Sequence, residues 1–451
     1  MRFNRHIGPM TEGSIPGHLL SYAIPALLGD LFQVTYNTVD SIIVGKYAGA
    51  GALAAVGVAS PLMSVAMFFI IGMGLGASVL MSEFYGAGDI KNLRREFSTA
   101  LILSLGLSGA ISIALFLLTG PLLRLVNTPA AIFEDTGRYL RIVSAGMIVT
   151  GVYNLLAAAS RSVGDTRTPL YCLVAGSAVN VALDLWFVAG LGWGVAGAAG
   201  ATVISQGCAA ALCALLLRRG GGLFFDRREF GLDRALLKRT LGFSYASALQ
   251  QAGIYVGRLL VQSMVNPLGV QAAAAFTAVN RIDDYALIPE RDIANGETVL
   301  VAQNHGANRP DRMEKGLKVA LTMEILYGLI VSVGIFALAE PLMRLFVAPE
   351  ETEVIRLGVR YLRLMGLFYF LPGINNGLQG FMRGLGKLKI TMYVTYTQMF
   401  VRAICTFLLI PTLKLDAVPL SCAVGWLVMA AWEIGLVLHW KRRGGLFGGE
   451  V

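Results

Sequence analysis

Apolar residues in this chain come in long blocks rather than in alternation with polar ones. Runs such as Leu101–Leu118 and Leu321–Leu338 are far longer than a β-strand. In lipid every backbone polar group must be satisfied inside the chain, which leaves helices or a closed barrel. Barrel strands alternate over about ten residues, whereas continuous apolar runs of this length predict membrane-spanning helices. The pattern places spans at residues 19–44, 52–82, 97–119, 132–160, 168–190, 194–217, 241–265, 270–302, 316–339, 353–382, 388–411 and 417–440. The longest polar stretch, 218–240, holds Gly220-Gly221-Gly222 and reads as a cytoplasmic linker between halves. The expected organisation is a six-helix lobe over 1–217, that linker, a second six-helix lobe over 241–440, and a cytoplasmic tail over 441–451.

The halves repeat. Gly120-Pro-Leu-Leu-Arg-Leu-Val matches Glu340-Pro-Leu-Met-Arg-Leu-Phe, and Arg138-Tyr-Leu-Arg matches Arg360-Tyr-Leu-Arg. Ser160-Arg-Ser-Val-Gly matches Met382-Arg-Gly-Leu-Gly, and Gly86-Ala-Gly-Asp matches Gly306-Ala-Asn-Arg. All four pairs keep one order at an offset of 220 to 222 residues. Six spans per half is even, so both halves enter the membrane from the same side, related by a pseudo-twofold axis along the membrane normal. The fold class expected is therefore an all-α integral membrane protein of twelve helices in two six-helix lobes.

Composition agrees. Of 451 residues 55% are hydrophobic and only 14% charged, with a mean hydropathy of +0.65; soluble domains carry roughly 25% charged residues. The net charge of +9 would suit nucleic acid, but its placement argues for lipid. About 24 of the 37 basic residues fall near the two termini or in alternate short loops, and about nine in the intervening loops, the bias of the positive-inside rule. Both termini are expected in the cytoplasm, in the cell membrane. Cys172, Cys208, Cys213, Cys405 and Cys422 lie in apolar segments without metal-ligand spacing and read as packing residues. The first apolar block is too long for a cleavable signal peptide and is followed by further spans.

Polar residues inside the spans carry the candidate chemistry. A carboxylate at a helix centre costs roughly 3 kcal/mol on insertion scales, so Asp40 is a functional candidate. Gln33, Tyr36, Asn37 and Asp40 share one helical face; Asn180 and Asp184 are an i, i+4 pair; Asn154 and Thr202 sit in the fourth and sixth spans. Hard oxygens suit sodium, and paired carboxylates equally suit a proton. A polar network that merely pins helices together would look the same. Across the repeat, Asp40 falls opposite Ser263, Asn180 opposite Arg402 and Asp184 opposite Thr406, so the second half lacks this acidic pair.

Five motifs together resemble the multidrug and toxic-compound extrusion (MATE) family. They are Val39-Asp-Ser-Ile-Ile-Val-Gly45, Phe84-Tyr-Gly-Ala-Gly-Asp89, Asn180-Val-Ala-Leu-Asp184, Gln303-Asn-His-Gly-Ala307 and Arg383-Gly-Leu-Gly386, within a similarity over about residues 15–440. The first-lobe motifs are closest to the DinF-like branch. The resemblance implies two lobes around a cavity, and export of organic cations or other amphipathic drugs in exchange for sodium ions or protons by a monomer with no cofactor. It further implies that Asp40, Asn180, Asp184 and Thr202 form a first-lobe cation site, with Tyr36, Tyr139 and Asn154 as neighbours. Acidic residues that some members carry in the seventh and tenth spans are missing here.

The eighth span holds Asp283, Asp284, Glu290, Asp292 and Glu297 with Arg281 and Arg291, where the first half has no charge. Pro289 is expected to bend it, as Pro25 is in the first span. Arg258 and Arg402 are candidate partners, and Gln251, Tyr255, Arg258 and Gln262 share a face of the seventh span. These charges read either as a cavity wall for a cationic substrate or as an internal ion-pair network. Met63, Met67, Phe68, Tyr396 and Met399 offer an adaptable apolar surface or plain packing. The expected substrate-facing set is Gln33, Asn37, Met63, Gln251, Tyr255, Arg258, Asp283, Asp284 and Arg402. The rival to a drug antiporter is a flippase for a lipid-linked precursor. No His-Glu-x-x-His motif, cysteine–histidine pair or nucleotide loop suggests an enzyme.

Overall fold

The computed structural model describes residues 8–219, 223–226 and 228–442. Arg2, Arg5, the Gly220–Gly222 run and the tail from Arg443 lie outside them. The apolar blocks form helices α1 (Ile15–Ile43), α2 (Gly49–Gly86), α3 (Ile90–Leu125), α4 (Ala130–Ala145), α5 (Met147–Ser162), α6 (Arg167–Asp184), α7 (Gly194–Arg219) and α8 (Arg234–Val265). They continue as α9 (Val270–Ala286), α10 (Ile288–Gly306), α11 (Pro310–Phe346), α12 (Thr352–Gly366), α13 (Phe370–Gly384), α14 (Leu388–Leu413) and α15 (Ala417–Arg442). Among the described residues fifteen α-helices make the twelve expected spans, because three spans are broken. α4 and α5 bend by 47° around Gly146. α9 gives way to α10 at Leu287, with Pro289 in the first turn of α10, where its missing N–H is no loss. α12 and α13 part at residues 367–369. Pro25, by contrast, lies inside an unbroken α1.

Breaks between spans follow the repeat. Gly49 (φ 90°), which opens α2, and Gly269 (φ 107°), which immediately precedes α9, occupy equivalent positions at the start of the second helix of each half, in a conformation that a Cβ would strain. Large apolar side chains on the outside, Leu117 at 71% and Val333 at 70% exposure among them, are what a lipid-facing surface requires.

The chain divides into two compact units whose boundary differs from that expected at the linker. One holds Ile24–Ala248; the other holds Met10–Ala23 and the chain from Leu249 onward. The first turns of α1 thus belong to the second unit, and the first half of α8 to the first. Within the first unit α5 packs on α2, α3 and α7; within the second, α13 packs on α10, α11 and α15. The linker is no free tether. Phe224 is 3% exposed and its ring lies 5.3 Å from that of Phe97 on α3, while Arg94 pairs with Asp226 at 2.8 Å and Arg95 with Glu229 at 2.7 Å. Residues 234–240, counted with the linker on polarity, are the first turns of α8.

In the second unit close approach depends on a glycine stripe along α13. A Cβ at Gly373 would lie 2.8 Å from the Glu324 carbonyl oxygen, one at Gly380 2.7 Å from that of Ala294, and one at Gly384 2.8 Å from that of Thr298. Small residues at such spacing let helix backbones touch in lipid.

Candidate functional site

Asp40 and Asp184 sit at comparable points of their helices. Asp184 closes α6 and Asp40 lies in the last turn of α1; both helices pass directly into π-helical backbone, Val44–Ala48 after α1 and Leu185–Gly190 after α6, and the two π segments pack together. Such segments frequently mark functional sites. Neither was visible in the residue pattern, which sees periodicity but not the width of a turn.

The geometry brings the first-lobe residues together. The carboxyl groups of Asp40 and Asp184 are within hydrogen-bonding reach of each other. With its amide assigned in the orientation that satisfies both ends, Asn180 donates to Asp184 Oδ2 at 2.9 Å and accepts from the Thr202 backbone N–H at 3.3 Å. Asp184 and Asn180 are fully buried and Asp40 is half-buried. One oxygen of each carboxyl, Asp40 Oδ1 and Asp184 Oδ1, has no hydrogen-bond partner. The rings of Tyr36 and Tyr139 flank both acids. Two carboxyls this close, each with an orphaned oxygen, need a positive species between them, a proton or a cation, because uncompensated buried charges are costly.

Other expected members fare differently. The Thr202 hydroxyl donates to the Ala198 carbonyl at 3.0 Å, leaving its oxygen lone pairs to accept. Asn154 spends its amide on the Thr150 carbonyl of its own helix at 2.9 Å. Gln33 and Asn37 lie on an exposed face of α1. The sequence reading passed over Gln206, which lines a small crevice with Tyr36, Ser177 and Ser205 and has a buried Oε1 without a partner. Its signal was available, a carboxamide one turn beyond Thr202.

In the second lobe two of the eighth-span charges, Asp283 and Asp284, find separate partners. Arg258 donates to Asp284 at 2.7 Å, both about half exposed. Asp283 is buried and accepts a hydrogen bond from the Tyr369 hydroxyl, with Arg402 nearby. Arg402 keeps a buried Nε without a partner. Gln251 and Tyr255 are half-buried on α8. Tyr396 and Met399 are packing residues: Cβ atoms at Gly253 and Gly257 would run into them at 2.9 and 2.2 Å. Met63 and Met67 pack beside Ala66, Ile70 and Met147.

Comparison with known proteins agrees with this architecture. The MatE family profile matches the chain twice, at residues 25–186 and 246–408. A "Probable multidrug resistance protein YpnP" of Bacillus subtilis is 28% identical, covering 84% of each chain. A Shewanella oneidensis protein named "FAD transporter" is 25% identical over 73% of this chain and 74% of its own. Among solved structures, an outward-facing multidrug resistance MATE family transporter of the MOP superfamily superposes with a TM-score of 0.90 at 24% identity, covering all of both chains.

Proposed function

The chain belongs to the MatE family of transporters, and from that premise we propose that it is a secondary antiporter, exporting organic cations or other amphipathic compounds in exchange for protons or sodium ions. The observation that carries the reading is the Asp40–Asp184 contact with its two orphaned oxygens. An entering ion neutralises the pair, Asn180 holds Asp184 in register, and Tyr36 and Tyr139 close the site against lipid. Coupling between ion and substrate must be reciprocal, so ion entry from outside lowers substrate affinity and drives release outward in an alternating-access cycle. A tenfold ion gradient supplies about 1.4 kcal/mol. The membrane potential adds about 2.3 kcal/mol per net charge per 100 mV, but nothing when one monovalent cation exchanges for another. We place the protein in the cell membrane with both termini in the cytoplasm, on the strength of its loop charges, and take it as a monomer from the family resemblance alone.

A second reading, transport of an anionic amphiphile such as a lipid-linked precursor, is favoured by the orphaned Nε of Arg402 and by the relative named for FAD. Dye export from proteoliposomes under an imposed sodium or pH gradient, with Asp40→Asn in parallel, separates the two. Export driven by one gradient and lost in the variant supports the antiporter and names its ion. Absence of export of any organic cation under either gradient sinks that reading in favour of the anionic one.

A further inference from the structure

The second lobe hides a cluster of carboxyls that the antiport scheme leaves unused. Glu290 and Glu297 on α10, Glu324 on α11 and Glu433 on α15 are each 0% exposed. Arg383 on α13 stands among them, facing Glu297, Glu324 and Glu433, and its Nε donates to Thr298 at 3.3 Å, one residue from Glu297. If every acid were ionised, four carboxylates against one guanidinium would leave three uncompensated negative charges inside the bundle. Lipid cannot solvate that excess.

Neither oxygen of any of these four glutamates has a hydrogen-bond partner. Space for the carboxyls is built into α13: a Cβ at Gly380 would sit 2.8 Å from Glu297 Oε2, and one at Gly377 would sit 2.4 Å from Glu324 Oε2. The two acids therefore occupy successive notches of the glycine stripe and face each other's charge. From the remaining packed elements, Glu290 lies beside Asn376, Glu433 beside Gln379, and Tyr22 of α1 covers Gly296 and approaches Arg383.

We propose that the second lobe contains a proton-binding site formed by Glu297 and Glu324, with Arg383 as its fixed counter-charge and Glu290 and Glu433 as flanking carboxyls. A proton suits the site better than sodium. Hard cations take about six oxygens or more, and among the described residues no three Asp, Glu, His or Cys side chains converge as metal ligands would. A proton on either carboxyl removes the charge that it presents to the other, an excess that Arg383 alone does not offset.

The repeat shows that the scaffold does not demand these acids. At a spacing of 220, Glu297 and Glu324 correspond to Ala77 and Ser104, both buried and uncharged in the first lobe, and at the spacing of 222 that holds farther along the chain Glu433 corresponds to Ala211, also uncharged. Arg383 corresponds to Arg161 through the matched Met382-Arg-Gly and Ser160-Arg-Ser segments. One half builds the same helix contacts without carboxyls; the other has added them together with a charge to hold them.

This site is independent of the ion-exchange reading of the first lobe, so its test uses full-length protein in liposomes carrying Asp40→Asn and Asp184→Asn, which silences that pair. Infrared difference spectra taken between about pH 5 and pH 9 report the C=O stretch of protonated carboxyls. The site predicts a titrating band that Glu297→Gln and Glu324→Gln each diminish by half or more, in protein that still elutes as a folded species. Arg383→Gln, with both acids kept, tightens proton binding about tenfold or more. A band insensitive to pH, or one unchanged by both glutamate variants, overturns the proposal and leaves a permanently neutral packing cluster. Loss of the band on adding sodium at fixed pH also overturns it, in favour of a sodium site.

Discussion

The two lobes share a scaffold and divide the chemistry. In the first, the acids stand on α1 and α6, where α-helix passes into π-helix, and an asparagine one turn away holds one of them. In the second, Arg402 and Thr406 stand at the Asn180 and Asp184 positions, Leu260 rather than Ser263 stands at the Asp40 position by the spacing that relates Gly49 to Gly269, and the buried acids stand instead on α10, α11 and α15 around an arginine. Neither set has a counterpart in the other half. Were intramembrane carboxyls part of what makes six such helices fold, both halves would keep them at equivalent places. Their strict alternation teaches that the repeat transmits helix packing while each lobe acquired its own charges.

The largest effect should come from breaking the first-lobe pair. Asp184→Asn keeps the volume and removes the charge that makes Asp40 need an ion. Gradient-driven export should fall about 100-fold, equivalent to about 2.7 kcal/mol. Thr406→Val at the equivalent second-lobe position should change it less than twofold, since the Thr406 hydroxyl is buried without a partner. Equal losses from both would dissolve the contrast between the lobes.

Next in size is the strap that fixes the linker to the first lobe. Phe224→Ala removes a buried ring from the Phe97–Phe225 stack and should cost about 3 kcal/mol locally. Hydrogen exchange should rise across residues 223–233 while the helices of the second lobe keep their protection. Increased exchange throughout α9–α15 would show that the strap serves both halves.

The second lobe has its own weak point in the glycine stripe. Gly377→Ala places a methyl against the Glu324 carboxyl, and overpacking of this kind costs typically about 1–3 kcal/mol. The melting temperature should drop, and adding Glu324→Ala should restore much of the loss by vacating the space. Failure of that rescue would mean that the α11 backbone, not the carboxyl, sets the approach.

The long blocks and the internal match made the helical fold and its two halves legible, because burial in lipid writes itself into every residue of a span. The carboxylate pair was legible for the opposite reason: Asp40 and Asp184 stand out against apolar surroundings. Glu324 and Glu433 stand out just as much. Each is solitary in its own apolar span, and only the approach of α10, α11, α13 and α15 makes a cluster of them. The π segments and the breaks at Gly146 and residues 367–369 depend on local backbone geometry that apolar periodicity does not encode. Polarity alone also misplaced the strap, since Phe224 and Phe225 are the two residues in the linker that argue for docking.

The smallest effect belongs to the exposed end of α11, where Glu314 accepts from Lys441 at 2.8 Å and lies 3.1 Å from Lys318. Those two ammonium groups hold its carboxyl below the usual range, the Lys441 hydrogen bond first. A carboxyl lowered in the folded state stabilises it above the unfolded value, near pH 4.3, and loses that contribution as pH falls through the folded value. Glu314→Gln should therefore melt slightly below the parent at neutral pH, and the gap should close on acidification below about pH 4. High salt should close it too, because such surface pairs are screened. A gap that survived both acid and salt would assign the α11–α15 contact to packing rather than charge, and would remove Glu314 from the simple surface pairs of the second lobe.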